Sequence, residues 1–153
     1  MKFPNVVGKN LLRQTIHFPQ DLKADLNLLF VPFWQWQQEE VDSWVPFAQE
    51  LVGQIKNFDF FELPTIESRG KFSQWIINEG MRAGIPNNPT RARTITLYLD
   101  KRKFRQALDI QDEDHIHLFI VNRAGDVLYH ERGEFDPKKG KALHIKLKKL
   151  SKE

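Results

Sequence analysis

At 153 residues the chain is sized for one domain, long enough to bury roughly 70% of the surface its unfolded form exposes. Hydrophobic residues make up 41% of it, twelve of them Phe, which excludes a disordered chain. There is no cysteine, so disulfides, thiolate catalysis, Cys-ligated zinc and iron–sulfur clusters are all excluded within the chain.

The net charge of +3 is uneven: residues 138–153 carry seven Lys and one Glu, leaving −3 for residues 1–137. No apolar run approaches the ~20 residues a membrane helix needs. MKFPNVVGKN lacks the apolar core of a signal peptide. The cytoplasm is therefore the default expectation, although a secreted chain whose signal had been removed would read the same way.

Residues 1–25 form an N-terminal segment in which Gly8 precedes Leu11, Leu12 and Ile16, with Thr15 to Phe18 as a short strand. Leu26 to Phe33 is apolar on both alternating faces except at Asn27 and Pro32, the pattern of a strand buried between two layers. After the turn WQWQQ, Val41, Trp44, Val45, Ala48, Leu51, Val52 and Ile55 recur at helical spacing. Pro46 interrupts that helix and removes one backbone donor.

Phe58 to Leu63 is a second strand, ended by Pro64. Phe72, Trp75, Ile76 and Ile77 mark a helix, and residues 85–90 read as loop from their Pro and Asn content. Thr94 to Leu99 alternates as a strand. Asp100 is an N-cap for a short helix holding Phe104, Ala107 and Leu108. Ile116 to Val121 is a buried strand, and a turn at residues 122–126 returns Val127 to Arg132 antiparallel to it. Asp136 and Pro137 open a last helix, with Leu143, Leu147 and Leu150 on one face. The order of elements implies an α/β fold: a three-layer α/β/α sandwich around a mixed sheet, closed by a β-hairpin and a helix.

Three segments resemble the thioredoxin-like superfamily of the peroxiredoxin and TlpA type. FPNVVGKNLLRQTIHFP is similar to its N-terminal G-x-x-L segment. LLFVPFWQWQQEEVDSWVPFAQEL is similar to its strand, active-site turn and Pro-interrupted helix, and FIVNRAGDVLYHERGEFD to its terminal hairpin. GMRAGIP, FRQALDI and the hairpin also bear a fainter resemblance to the mitochondrial ATP synthase assembly-factor family. The likeness covers nearly the whole chain and implies a single thioredoxin-like domain over residues 1–153.

Redox members of that group place cysteines at the start of the helix, where its dipole stabilises a thiolate. Alignment on Pro46 puts those positions at Gln38 and Val41, alignment on the tryptophan at Gln35 and Gln38, and a peroxiredoxin register at Glu39. No amide or carboxylate exchanges electrons as sulfur does. Asp114, His115 and Ile116 occupy the place of the group's cis-proline. The resemblance thus implies the scaffold without its thiol–disulfide oxidoreductase or cysteine peroxidase chemistry.

Trp34, Gln35, Trp36, Gln37 and Gln38 form the densest candidate for a contact surface, because Trp is enriched at binding hot spots. The partner expected there is another protein or a peptide, with no cofactor. Arg82 is a further candidate for an anionic group. His115 and His117, two apart beside Asp112, Glu113 and Asp114, are the only hint of a metal, and no third ligand is fixed by spacing. Arg91 and Arg93 read as solvated loop residues. The lysine-rich residues 138–153 read first as a docked helix with solvated charges, so neither nucleic acid nor a membrane is the expected partner; the alternative is a basic surface module binding nucleic acid or an anionic membrane. An enzyme without thiols would have to use Glu39 or Glu40 as base, or the histidine pair on a metal.

Overall fold

The computed structural model describes residues 1–68 and 88–152. β1 (Val6–Asn10) and β2 (Thr15–Phe18) form an antiparallel hairpin. Its turn is held by the Asn10 carboxamide, whose Oδ1 accepts from the backbone N–H groups of Leu12 and Gln14, both at 3.0 Å. β3 (Leu26–Val31) is buried along its whole length, as the unbroken apolar run requires. It leads through a 3₁₀ turn (Gln35–Gln37) into α1 (Gln38–Gln54), which carries Pro46.

β4 (Phe58–Glu62) and β5 (Thr65–Glu67) follow, then α2 (Asn88–Arg93), β6 (Ile95–Leu99) and α3 (Lys101–Ala107). The chain ends with β7 (His117–Asn122), β8 (Val127–Arg132) and α4 (Pro137–Ser151). The two foreseen caps are in place: Asp100 accepts from Lys103 N–H and Asp136 from Lys139 N–H, satisfying helix donors that have no partner in the helix.

The strands lie in two four-stranded sets, β2-β1-β6-β5 and β4-β3-β7-β8. β3 pairs parallel with β4 and antiparallel with β7, and β5 pairs parallel with β6. The sets meet where β4 runs on into β5 through Leu63 and Pro64. Leu63 N–H and Thr65 N–H donate to the carbonyls of Phe30 (2.7 Å) and Pro32 (2.9 Å). On the other side Leu97 N–H donates to Pro64 O at 2.8 Å. Proline has lost its donor but keeps its acceptor, so it can sit in the strand with its ring nitrogen needing no partner. One interrupted strand thus bonds both sets, and the mixed sheet is continuous.

Alternate side chains of β3 enter different layers. Leu26, Leu28 and Phe30 pack with Trp44, Ala48 and Leu51 of α1 and Leu143 and Leu147 of α4. Leu29 and Val31 pack on the other face with Phe104 of α3, Phe3 and Phe18. The three-layer mixed architecture expected from the sequence is the one observed.

Three local readings change. Asn88–Arg93 is helical rather than loop at its start, because a proline in the first helical turn loses a donor that has no partner there anyway. Strands β1 and β5 carry too short or too mixed a pattern to be read in advance. The helix expected around Phe72 to Ile77 lies outside the described residues, as does Arg82.

The G-x-x-L glycine has a steric reason to be there. β1 crosses β6 with Gly8 opposite Leu97, and a Cβ built on Gly8 would stand 2.6 Å from the carbonyl oxygen of Thr96. The obstacle is backbone and cannot swing aside. Gly8→Ala is expected to cost about 1–3 kcal/mol by overpacking, read as a lower denaturation midpoint at unchanged m-value.

Candidate functional site

The turn after β3 is fixed by an amide that the sequence places among surface residues. Gln37 is fully buried. Its Oε1 accepts from Phe33 N–H at 2.7 Å, and its Nε2 donates to the carbonyl of Glu113. Three residues on, at the next position of the same helical face, Glu40 Oε1 accepts from Ile116 N–H at 3.0 Å. Its Oε2 meets His115 Nδ1 at 2.8 Å. Gln37 and Glu40 therefore staple the start of α1 to the loop 113–116 that leads into β7.

The tryptophans stand outside this staple. Trp34 is 52% and Trp36 59% exposed, and Gln35 is exposed beside them. The ammonium of Lys101 lies 3.9 Å from the Trp34 ring centre, a cation–π contact. It is held there by Phe33 O at 3.2 Å and Glu113 at 3.3 Å. Glu113 in turn pairs with Arg105 at 3.2 Å. The Trp34 ring is thus oriented from one side while half of it faces solvent. Gln38 is half-buried and donates to Asp42 at 2.9 Å.

Of the candidates read from sequence, Trp34, Gln35 and Trp36 lie together on the surface, Gln38 lies at its margin, and Gln37 is corrected to a buried strut. The groove of about 540 Å³ lined by Asp25, Leu26, Lys56, Asn57 and Leu150 lies by the N-terminal end of β3, remote from the tryptophans. A second, of about 420 Å³, is lined by Arg102, Arg105, Gln106 and Asp109.

The histidines do not share a site. His115 faces Glu40, whereas His117 is buried and its Nδ1 meets His130 Nε2 at 2.9 Å. His117 Nε2 lies 3.2 Å from the carbonyl of Asp112, which can only accept, so Nε2 carries the proton and Nδ1 accepts from His130. Burial and the neighbouring imidazole pull the His117 pKa down to about 4. No group of three or more His, Asp or Glu able to hold a metal occurs among the described residues. Arg93, read as solvated loop, ends α2 instead; it pairs with Asp59 and lies 4.3 Å over the Phe60 ring.

One chemically distinctive group was not singled out from the sequence. Glu62 occupies the inward register of β4, after Phe58 and Phe60, and is buried. Its Oε2 is 3.4 Å from Thr94 Oγ1, which also lies 2.8 Å from Thr90 O. Glu62 Oε2 accepts from that hydroxyl, a long contact that only partly offsets the cost of burying the carboxylate. Burial, and secondly the Asp42 charge, raise its pKa to about 7. The lone acid at an inward position of FDFFEL is the signal that would have found it.

No family model matches the sequence, and no curated protein matches it. Solved structures do. The DsbE-type thiol:disulfide interchange protein of Chlorobium tepidum superposes with a TM-score of 0.57 at 14% identity, over 98% of this chain and 95% of that one. BsSco, of the Sco family of cytochrome c oxidase assembly proteins, gives 0.63 at 13% identity, over 99% and 94%. StoA of Bacillus subtilis gives 0.54 at 13%, over 94% and 96%.

The fold is thioredoxin-like. The first of those structures carries a name that denotes thiol–disulfide chemistry, and this chain has no cysteine with which to perform it. In this chain Gln37 and Glu40 link the head of α1 to backbone groups of the loop before β7. The one cis peptide among the described residues is Phe18–Pro19, far along the chain from Ile116.

Proposed function

We propose that this cysteine-less thioredoxin-like protein works by binding, presenting Trp34 and Trp36 to another protein or peptide as an assembly or chaperone-like factor. The observation that carries the reading is the pair of tryptophans, each more than half exposed, on a turn whose backbone is pinned from within by Gln37 and Glu40. Exposed aromatic side chains on a rigid base lose little entropy when covered, and tryptophan is the residue most enriched at hot spots. An assembly role for BsSco, a structure of the same fold, is consistent with such a use of the scaffold.

Trp34→Ala and Trp36→Ala are each expected to weaken partner capture by about 30-fold or more, hot-spot residues costing roughly 2 kcal/mol or more. Affinity capture with the intact variants, checked for folding by the near-ultraviolet signal of buried Trp44, measures this. Undiminished recovery from folded variants would remove the assignment.

Glu62 supports a second reading, an enzyme with carboxylate acid–base chemistry. A carboxyl titrating near neutrality can give and take protons at working pH, and this one lies beside Asp42 and Gln38 at the head of α1. A small-molecule turnover abolished by Glu62→Gln and untouched by Trp36→Ala would favour it over the binding reading.

A further inference from the structure

The outward face of α4 carries a second group of exposed side chains, on a different element from the tryptophan turn. Its exposed residues are Lys138, Lys141, Ala142, Ile145, Lys148, Lys149 and then Lys152 just past the helix. The spacing of three and four residues aligns them in one stripe, roughly 22 Å long at 1.5 Å per residue. No acidic residue lies within Pro137–Ser151. The nearest preceding acids are Glu134 and Asp136, and Asp136 is taken up as the N-cap.

Among the described residues none of these five lysines has an ion-pair partner: the salt bridges fall on Lys2, Arg93, Lys101, Arg105, His115, Arg123 and Arg132. In the middle of the stripe Ile145 is 58% exposed. The inner face of the helix, Gly140, Leu143 and Leu147, is already buried against the sheet and α1, so Ile145 is surplus to the core.

We propose that this stripe docks peripherally on an anionic lipid surface. Five ammonium groups with no ion-pair partner among the described residues favour an anionic partner, and three features choose among such partners. Lysine is depleted at protein interfaces, where arginine and aromatic anchors dominate, and the stripe has neither. It also offers no Arg, Asn or Gln to base edges and no ring for stacking, so nucleic acid would gain from it only charge. Ile145 gains nothing against phosphates, but in the headgroup–acyl boundary its side chain is buried. Point charges on flexible stems suit the diffuse field of acidic headgroups, each worth about a fivefold change in partitioning.

The test uses the full chain and sedimentation with vesicles of phosphatidylcholine, with or without phosphatidylserine, and in parallel a short DNA duplex. The wild type is expected to sediment with the serine-containing vesicles, to be released by salt, and to stay in the supernatant when the vesicles are neutral. The pair Lys141→Gln and Lys148→Gln should weaken partitioning by roughly 25-fold. Ile145→Ser should weaken it on vesicles and leave any DNA affinity unchanged, and Trp34→Ala should leave it unaltered. Equal binding to neutral vesicles, retention by the lysine variants, or DNA binding in place of vesicle binding would each overturn the proposal.

Discussion

Replacing Gln37 by alanine is expected to destabilise the protein by about 3 kcal/mol. The amide satisfies two backbone groups at once, the buried Phe33 N–H and the part-buried Glu113 O. Removing it leaves a donor and an acceptor without partners, at about 1–3 kcal/mol each, partly offset where water enters the space. Chemical denaturation of Gln37→Ala against wild type measures the loss. Gln37→Glu sharpens the test: it keeps the acceptor for Phe33 N–H and sets a carboxylate oxygen against the Glu113 carbonyl. It should therefore cost at least as much at neutral pH and recover partly in acid. A variant as stable as wild type would mean that the 113–116 loop is held by other contacts. The staple would then no longer explain why the tryptophans are presented rigidly.

Gln37 also marks where sequence reading stops. The core was legible because burial on both sides of β3 writes an apolar run, and α1 writes Val41, Trp44, Ala48 and Leu51 at helical spacing. The helix starts at Asp100 and Asp136 were legible because capping is local chemistry. Gln37 sits within WQWQQ among three similar amides, and nothing in the string distinguishes the one whose partner lies 76 residues away.

The same holds for the histidines. Alternation puts His115 and His117 on one side of the chain, but their partners, Glu40 and His130, come from different elements. Glu62 was closer to being readable, since its inward register is set by Phe58 and Phe60. Its proton affinity depends on Thr94 and Asp42, which only the folded sheet and helix bring to it.

Glu62 and His117 together predict a pH profile in which two opposite slopes conceal each other. Glu62 has its pKa raised from the ordinary 4.5 to about 7. Between those values the folded state binds more protons than the unfolded one, so its contribution is lost as pH rises through that window. His117 has its pKa lowered from 6.5 to about 4. There the unfolded state binds more protons, so that stability is present above pH 6.5 and is lost as pH falls towards 4. Each shift corresponds to about 3 kcal/mol, and over the shared part of the range the two nearly cancel. Depressed carboxyls at Asp112 and Asp126 act in more acid solution, stabilising above their titration and failing below it.

Single substitutions should separate the two slopes. Glu62→Gln is expected to be more stable than wild type by up to about 3 kcal/mol near pH 8, the advantage vanishing below about pH 4.5. His117→Asn should show the converse slope: its cost relative to wild type, from the lost contacts to His130 and Asp112 O, shrinks as the solution is acidified. Urea denaturation of the three proteins across this range, expressed as differences from wild type, reads both slopes without the remaining titrations. A flat difference curve for Glu62→Gln would show that the carboxyl reaches solvent in the folded protein. The acid–base reading would then lose Glu62, because a carboxyl that titrates in the ordinary range is already ionised at neutral pH and is a weak proton acceptor there.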